Sequence, residues 1–135
     1  MNQYTEDSLV EQPAIQLFAE MGWQTVSAQD DVFGVGGTLG RETKGEAVLA
    51  PRLRAALDRL NPSLPPEALS TAIDQLIRDR SVMSLAAANR EVFGFLKDGI
   101  PVSIPDPTGG GQKTERVRVI DWENPAANEF LLVSQ

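Results

Sequence analysis

The sequence predicts an α+β fold, in which an N-terminal helix and a helical cluster pack on a small, mainly antiparallel sheet. Two patterns predict it. Apolar residues recur at helical spacing up to residue 98, and from residue 100 onward polar and apolar residues alternate as in strands. The length of 135 residues suits one core, so we expect residues 1–135 to form a single domain.

The first helix is predicted over residues 5–21. Ser8 and Glu11 have the spacing of a capping box, with Ser8 as the capping residue. Pro13 would then lie inside the helix and delete a backbone hydrogen bond, so the helix must kink there or start afresh near Glu11. The apolar residues predicted to share one side of it are Leu9, Leu17, Phe18 and Met21.

Two glycine-rich segments interrupt the predicted elements. A short strand at 23–27 leads into the first of them, residues 28–46, and the second is residues 106–113. Neither segment has the glycine and Lys-Ser/Thr spacing of a phosphate-binding loop between a strand and a helix. We therefore interpret both as surface loops, and a nucleotide site in them is disfavoured.

Three amphipathic helices are predicted between residues 49 and 99. The first ends at Asn61, the second begins at Pro65, and the third runs from about Ser84 to Gly99. The residues predicted to face inward are Leu49, Leu53, Ala56, Leu57 and Leu60, then Leu69, Ile73, Leu76 and Ile77, then Leu85, Ala88, Val92, Phe95 and Leu96.

The remainder of the chain predicts strands. Residues 100–104 and 114–121 alternate and should pair as a hairpin. Residues 130–133 are apolar throughout, which suits a strand covered on both faces, and we expect it to complete a three-stranded sheet. No later residues could cover its second face, so this pattern predicts a truncated piece of a longer domain.

The composition restricts the possible chemistry. The chain has no cysteine and no histidine, which excludes disulfides, Cys/His zinc sites, thiol nucleophiles and Ser-His relays within it. Carboxylates remain, and they suit oxygen-ligated cations such as magnesium. The alternative is that these acids are solvated side chains and turn formers. The candidate metal-binding acids are Glu11, Asp30, Asp31, Asp121 and Glu123, the last two sharing a face if the strand extends that far.

The net charge of −7 argues against a free-standing nucleic-acid binder. A local basic stretch could still track a DNA backbone, or it could be a charged outer face balanced by Glu42, Glu46 and Asp58. Trp23 and Trp122 are predicted to pack in a core or hinge, and the alternative, that they are platforms on which bases stack, is disfavoured. No signal peptide or membrane-spanning run is present in the sequence, so we expect a cytoplasmic protein. The basic stretch consists of Arg41, Lys44, Arg52, Arg54 and Arg59.

The whole chain resembles the amino-terminal part of the restriction (R) subunit of type I restriction-modification enzymes. The resemblance depends on the order and spacing of several segments across all 135 residues. These are Tyr4-Thr-Glu-Asp-Ser-Leu-Val-Glu11, Gly22-Trp23, Ala56-Leu-Asp-Arg-Leu-Asn-Pro62, residues 96–102, Asp121-Trp-Glu-Asn-Pro-Ala-Ala-Asn-Glu-Phe130 and Val133-Ser-Gln135.

The resemblance implies a parent protein that is an ATP-dependent DNA translocase and a magnesium-dependent endonuclease, cutting unmethylated foreign DNA. It also implies a partial PD-(D/E)XK nuclease domain here, with double-stranded DNA and the methyltransferase and specificity subunits as partners of the parent. Glu11 aligns with an acid on the first helix of that nuclease fold, so the resemblance predicts an accessory acid of the catalytic site. The alternative is that Glu11 is the glutamate of a capping box with Ser8. The family's nuclease D…ExK residues and ATPase motifs are absent from these 135 residues.

We therefore expect the 135 residues alone to be inactive, with Mg²⁺ and ATP required by the parent and neither bound here. We also expect weak or no DNA binding, and a dimer through an exposed strand edge is one expected state. An alternative interpretation is a complete, non-enzymatic interaction module that uses an open strand edge or a helical stripe. A further alternative is a DNA-binding accessory domain.

Overall fold

The structure, a computed structural model, combines helices and strands, which confirms the predicted α+β class. It divides into two compact units, unit 1 with residues Met1–Gly45 and Glu129–Gln135, and unit 2 with residues Glu46–Asn128. That residues 1–135 form one domain stays a prediction. Within the part of the chain that the structure describes, no helix is long and apolar enough to cross a membrane. The described residues are 5–30, 32–33, 37, 39 and 47–134.

The first helix of unit 1 starts as a π-helical turn, Asp7–Glu11, and continues as the α-helix α1, Gln12–Glu20. Pro13 lies in a helix that runs on from the π turn, since Glu11 has helical backbone angles and the Gln12 N–H donates to the Asp7 carbonyl. The predicted fresh start near Glu11 is therefore wrong, because the π turn just before Pro13 lets the helix continue past the missing N–H. The apolar side predicted for this helix is largely uncovered, because Leu9, Leu17 and Met21 are all more than half exposed.

The N-terminal cap lies one turn earlier than the predicted one. The backbone N–H of Ser8 donates to Thr5 Oγ1 at 3.1 Å, and the N–H of Thr5 donates to Ser8 Oγ at 3.1 Å. The capping box therefore joins Thr5 and Ser8, and the predicted box of Ser8 with Glu11 is wrong. The reason is that a capping residue must stand outside the helix, whereas Ser8 is already inside the π turn.

Two parallel strands complete unit 1. Strand β1, Gln24–Ser27, pairs with β4, Leu131–Ser134, so that Gln24 lies opposite Leu131. The predicted three-stranded sheet is wrong, since β4 joins β1 and not the hairpin. An apolar run indicates a strand but does not identify its partner. Helix α1 packs on both strands.

An aromatic cluster stabilises the same unit. The Trp23 ring lies between Phe18 and Phe130, with ring centroids 4.7 and 5.0 Å away. These separations and tilted ring planes are favourable for aromatic pairs. The predicted packing role of Trp23 is thereby confirmed.

The described part of unit 2 contains three α-helices, and their predicted limits are confirmed to within about two residues. They are α2 (Ala50–Leu60), α3 (Pro66–Ile77) and α4 (Leu85–Asp98). Ser84 caps α4 by accepting a hydrogen bond from the Ala87 N–H at 3.1 Å. Two residues predicted to face inward are exposed instead, Leu85 at 91% and Ile77 at 49%.

A hairpin follows the helices, formed by β2 (Ile100–Pro105) and β3 (Gln112–Val117). Gly99 joins it to α4 with a φ of +86°, and a Cβ there would stand 3.0 Å from the Val117 carbonyl oxygen, so only glycine fits without a shift. Helix α3 packs on β2, whose residues alternate between buried and exposed. The core of unit 2 comprises Leu57, Ala68, Leu69, Ala72, Ile100, Val102, Ile104 and Val117.

Candidate functional site

A cleft of about 590 Å³ opens in unit 1 where the parallel strands end. Strand β1 ends at Ser27 and β4 ends at Ser134, and both serines line the cleft. In sheets with parallel strands, the carboxyl ends of the strands are the usual place for a ligand. The helical side of the cleft is formed by Asp7, Glu11, Gln12 and Ile15, and the strand side also by Thr25, Val26 and Gln29.

The π turn places acidic residues in this cleft. Asp7 and Glu11 are four residues apart at its two ends. Gln12 Nε2 donates a hydrogen bond to Asp7 Oδ1 at 3.0 Å, which fixes that carboxylate. Among the described residues, no side chain or backbone group donates to the Glu11 carboxylate. Glu11 is half-buried, so the cleft presents a carboxylate that is available to a ligand.

This donor set suits a hard cation but does not complete a site for one. Carboxylate, amide and hydroxyl oxygens line the cleft, and these are the ligands that magnesium prefers. However, no group of three or more acidic or other metal-ligating side chains clusters anywhere in the described residues. The residues present therefore fit part of a magnesium coordination sphere, with Glu11 as the donor.

The other predicted metal-binding acids are not brought to the cleft. Asp30 ends the short 3-10 turn Ala28–Asp30 that follows β1, and it does not line the cleft. Asp31 lies outside the described residues. Strand β3 ends at Val117, so it does not reach Asp121 and Glu123, and the condition under which these two acids would share a strand face is not met.

Asp121 instead holds a turn. Its Oδ1 accepts hydrogen bonds from the N–H groups of Asn124 at 3.0 Å and Glu123 at 3.1 Å. The Asn124 N–H is the main cause that lowers the pKa of Asp121 below its usual value. Asn128 Nδ2 donates to the Asp121 carbonyl at 2.9 Å and closes the same loop. For Asp121, the interpretation as a turn former is therefore the one that the geometry supports.

Two residues of the predicted basic stretch, Arg54 and Arg59, make hydrogen bonds within unit 2. Arg54 Nη1 donates to Ser70 Oγ at 2.8 Å and Arg54 also pairs with Asp58 at 3.7 Å. Arg59 Nε donates to the Ala127 carbonyl at 3.2 Å. These bonds match the interpretation of a balanced outer face. Arg41 and Lys44 lie outside the described residues, as does most of the glycine-rich loop that carries them.

A second cleft, of about 260 Å³, lies in unit 2 between the end of α4 and the chain after β3. Trp122 lines it and is 64% exposed, so its predicted packing in a core is wrong. The ring is nevertheless fixed, because Nε1 donates to the Leu96 carbonyl at 3.0 Å. The charged residues that line this cleft are Lys97, Asp98, Arg116, Arg118, Asp121 and Glu123.

Comparison with known proteins assigns the family. The sequence model of the family described as type I restriction enzyme R protein N terminus matches residues 3–135. The chain belongs to this family. The resemblance found in the sequence is thereby confirmed across nearly the whole chain, including the segment that carries Glu11.

A curated member of the type I restriction enzymes is also similar. The HindI endonuclease subunit of Haemophilus influenzae is 29% identical over 126 residues, which cover 93% of this chain and 12% of that protein. This chain therefore spans about an eighth of the relative's length. No solved structure matches the chain significantly.

The sequence indicated Glu11 as a candidate site residue but gave no indication of its neighbours in the cleft. Asp7, Gln12 and Ser134 line the same cleft and were not singled out. The spacing of four between Asp7 and Glu11 is visible in the sequence and indicates one helical side. By contrast, Ser134 enters the cleft only because β4 pairs with β1, and that pairing has no signature in the sequence.

Proposed function

We propose that this chain forms the N-terminal part of the nuclease domain of a type I restriction enzyme R subunit. The intact subunit would be an ATP-dependent DNA translocase that cuts unmethylated double-stranded DNA with Mg²⁺. It would act in the cytoplasm together with methyltransferase and specificity subunits. Membership of the R-subunit family and similarity to the HindI endonuclease subunit support this proposal.

The proposed site depends on one observation, which is that Glu11 lines the cleft at the ends of β1 and β4. Glu11 is the acid that the resemblance assigns to the first helix of a PD-(D/E)XK nuclease. Its carboxylate accepts no hydrogen bond from the described residues, whereas Asp7 beside it is held by Gln12. A carboxylate in this situation suits an oxygen ligand of Mg²⁺, bound directly or through a water molecule.

The charge of unit 1 supports a cation site. By sequence this unit contains eight acidic and two basic residues, whereas unit 2 contains eleven acidic and ten basic residues. Such a surface attracts cations and repels phosphate. Bound Mg²⁺ would supply Lewis-acid stabilisation of charge on the scissile phosphate. Glu11 would hold the ion, while the aspartate and the E-x-K residues would come from elsewhere in the subunit, as would the ATPase.

The substitution Glu11→Gln tests this role in the intact R subunit, assembled with its methyltransferase and specificity partners. The change removes a charged metal donor and preserves side-chain size. We expect Mg²⁺-dependent DNA cleavage to fall by about 10-fold or more. DNA-stimulated ATP hydrolysis should be unchanged, because the proposed ATPase site does not include this residue.

Glu20→Gln is the matched control. It makes the same chemical change at the far end of α1, where Glu20 is exposed and accepts a hydrogen bond from Gln16 Nε2 at 3.3 Å. Cleavage by this variant should equal that of the wild type. Normal cleavage by Glu11→Gln would refute the role of Glu11, and equal losses of cleavage and ATP hydrolysis would indicate a structural role instead.

A further inference from the structure

The cleft in unit 2 presents an aromatic face that the proposed nuclease role does not use. The Trp122 ring is anchored by its bond to the Leu96 carbonyl, yet 64% of the residue remains exposed. A tryptophan that is fixed but uncovered has already lost its side-chain freedom, so stacking a flat ligand on it has a small entropic cost. The cleft volume of about 260 Å³ leaves room for a group of nucleobase size.

An exposed stripe of α4 leads into this cleft. Arg90, Phe93 and Lys97 are spaced three and four residues apart, which puts them on one side of the helix. All three are exposed, with Phe93 at 61%, and Lys97 also lines the cleft. Within the described residues, neither Arg90 nor Lys97 has an ion-pair or hydrogen-bond partner for its side chain. The stripe therefore offers two available cations with an aromatic ring between them.

The lining of the cleft is mixed in charge. Arg118 Nη1 pairs with Asp121 Oδ2 at 3.4 Å, and this acid is also held in its turn by backbone N–H groups. Arg116 supplies donors, while Asp98 and Glu123 supply acceptors. With three cations and three acids, the lining has no net positive charge to hold a bare phosphate. The edge of a base, which has both donors and acceptors, matches this lining.

We propose that this cleft binds an unpaired base of single-stranded DNA, stacked on Trp122, while Arg90 and Lys97 contact the adjoining phosphates. The combination of a stacking ring with a track of cations is the usual means of binding single strands without sequence preference. A duplex offers no free base face along its length and should bind less well. The site does not depend on Glu11 or on the proposed nuclease role.

The expected affinity is low, because only two cations face the backbone and the chain carries a net charge of −7. A dissociation constant of about 10⁻⁴ to 10⁻⁵ M is expected near physiological salt. Two phosphate contacts on a single strand correspond to a slope of about −1.4 for log K against log salt concentration.

Tryptophan fluorescence tests the proposal directly. The Trp23→Phe variant leaves Trp122 as the one tryptophan of the chain. Titrating it with an oligothymidylate of about 12 nucleotides should quench the emission, and the 12-base-pair duplex should quench it several-fold less at equal concentration. Binding by Trp122→Ala, measured from the anisotropy of a labelled oligonucleotide, should show a loss of affinity of about 5-fold or more.

Two charge variants distinguish specific phosphate contacts by Lys97 from a general effect of the protein's net charge on DNA binding. Lys97→Gln should weaken binding and reduce the salt slope by about 0.7. Lys113→Gln makes the same charge change at the loop end of the hairpin, where Lys113 pairs with Glu115 at 3.0 Å, and it should leave both quantities unchanged. Circular dichroism of each variant establishes that folding is intact.

Any one of four results would overturn the proposal. The first is the absence of quenching up to millimolar oligonucleotide, and the second is equal binding of the single strand and the duplex. The third is a Trp122 emission that shifts to the blue with protein concentration alone, since that would identify the face as a contact between protein copies. Unchanged binding by both Trp122→Ala and Lys97→Gln would also refute it.

Discussion

Asn61 is the residue on which the end of the hairpin depends. It is 7% exposed, and it lies just after α2. Its Nδ2 donates to the Arg118 carbonyl at 2.8 Å and to the Leu57 carbonyl at 3.0 Å, while its Oδ1 accepts the Arg118 N–H at 2.8 Å. The Asn61 side chain thus bonds both the N–H and the carbonyl of Arg118, as a neighbouring strand would, and it links the end of α2 to the chain just after β3.

We expect Asn61→Ala to lower the free energy of unfolding by about 2–3 kcal/mol, because the bonded backbone groups lose their partner in a part-buried place. Urea denaturation, monitored by circular dichroism, measures this free energy of unfolding. Asn89→Ala is the control, since Asn89 is exposed on α4 and its replacement should change stability by less than about 0.5 kcal/mol. Equal stabilities of the two variants would show that the Asn61 bonds contribute nothing.

The sequence could not predict this role of Asn61 in full. Asn61 followed by Pro62 predicted the end of a helix, and α2 does end at Leu60. Its second partner, Arg118, lies 57 residues away along the chain. A hydrogen bond across that separation depends on tertiary packing, for which one sequence contains no periodic signal.

At the scale of elements, four carboxylates of unit 2 fix helix ends and turns. Hydrogen bonds from Arg78 and then Arg80 lower the pKa of Glu91, and Arg80 in turn donates to the Leu76 carbonyl at the end of α3. Backbone N–H groups lower the pKa values of Asp79, Asp106 and Asp121, chiefly those of Ser81, Thr108 and Asn124.

A carboxyl group with a lowered pKa in the folded state stabilises the fold once it is ionised. This stabilisation is fully present above the ordinary carboxyl pKa of about 4 and is lost as the pH falls through the lower folded value. We therefore expect the free energy of unfolding to be nearly constant from about pH 5 to 8 and to fall below about pH 4. Urea titrations at several pH values measure the change.

Glu91→Gln isolates one of these groups. The variant should be less stable than the wild type at pH 7, and the difference should shrink as the pH falls below the ordinary carboxyl pKa of about 4, because protonation of Glu91 removes its ion pairs from the wild type as well. Two stability curves that run parallel from pH 7 to 3 would contradict the role of this carboxylate.

Other elements show which structural features local sequence patterns can predict and which they cannot. The three helices of unit 2 follow from apolar spacing, proline in a first turn and glycine after a last turn, and all of these are local signals. The π turn of unit 1 was predicted only as a kink or restart at Pro13, because the sequence does not show how the helix adjusts. The partner of β4 was predicted wrongly, since a strand's partner is a long-range choice.

At the scale of the whole molecule, the net negative charge is concentrated in unit 1 and the charges are nearly balanced in unit 2. This division matches two different proposed sites, a cation site at Glu11 and a base-binding cleft at Trp122. The family membership was predictable from the sequence, because several spaced segments along the chain resemble those of R subunits. The neighbours of Glu11 were not predictable, since they come from both ends of the chain and meet only through the parallel pairing.

The central claim is that Glu11 lies at the metal site of the nuclease, and metal-directed cleavage of the polypeptide tests it most directly. Fe²⁺ replaces Mg²⁺ in the intact R subunit, and ascorbate with peroxide then generates radicals that cut the backbone near the bound ion. We expect cuts within residues 7–12 of the wild type and a strong reduction in Glu11→Gln, mapped by mass spectrometry. Metal-dependent cuts elsewhere in the subunit, with residues 5–30 left intact, would contradict the account.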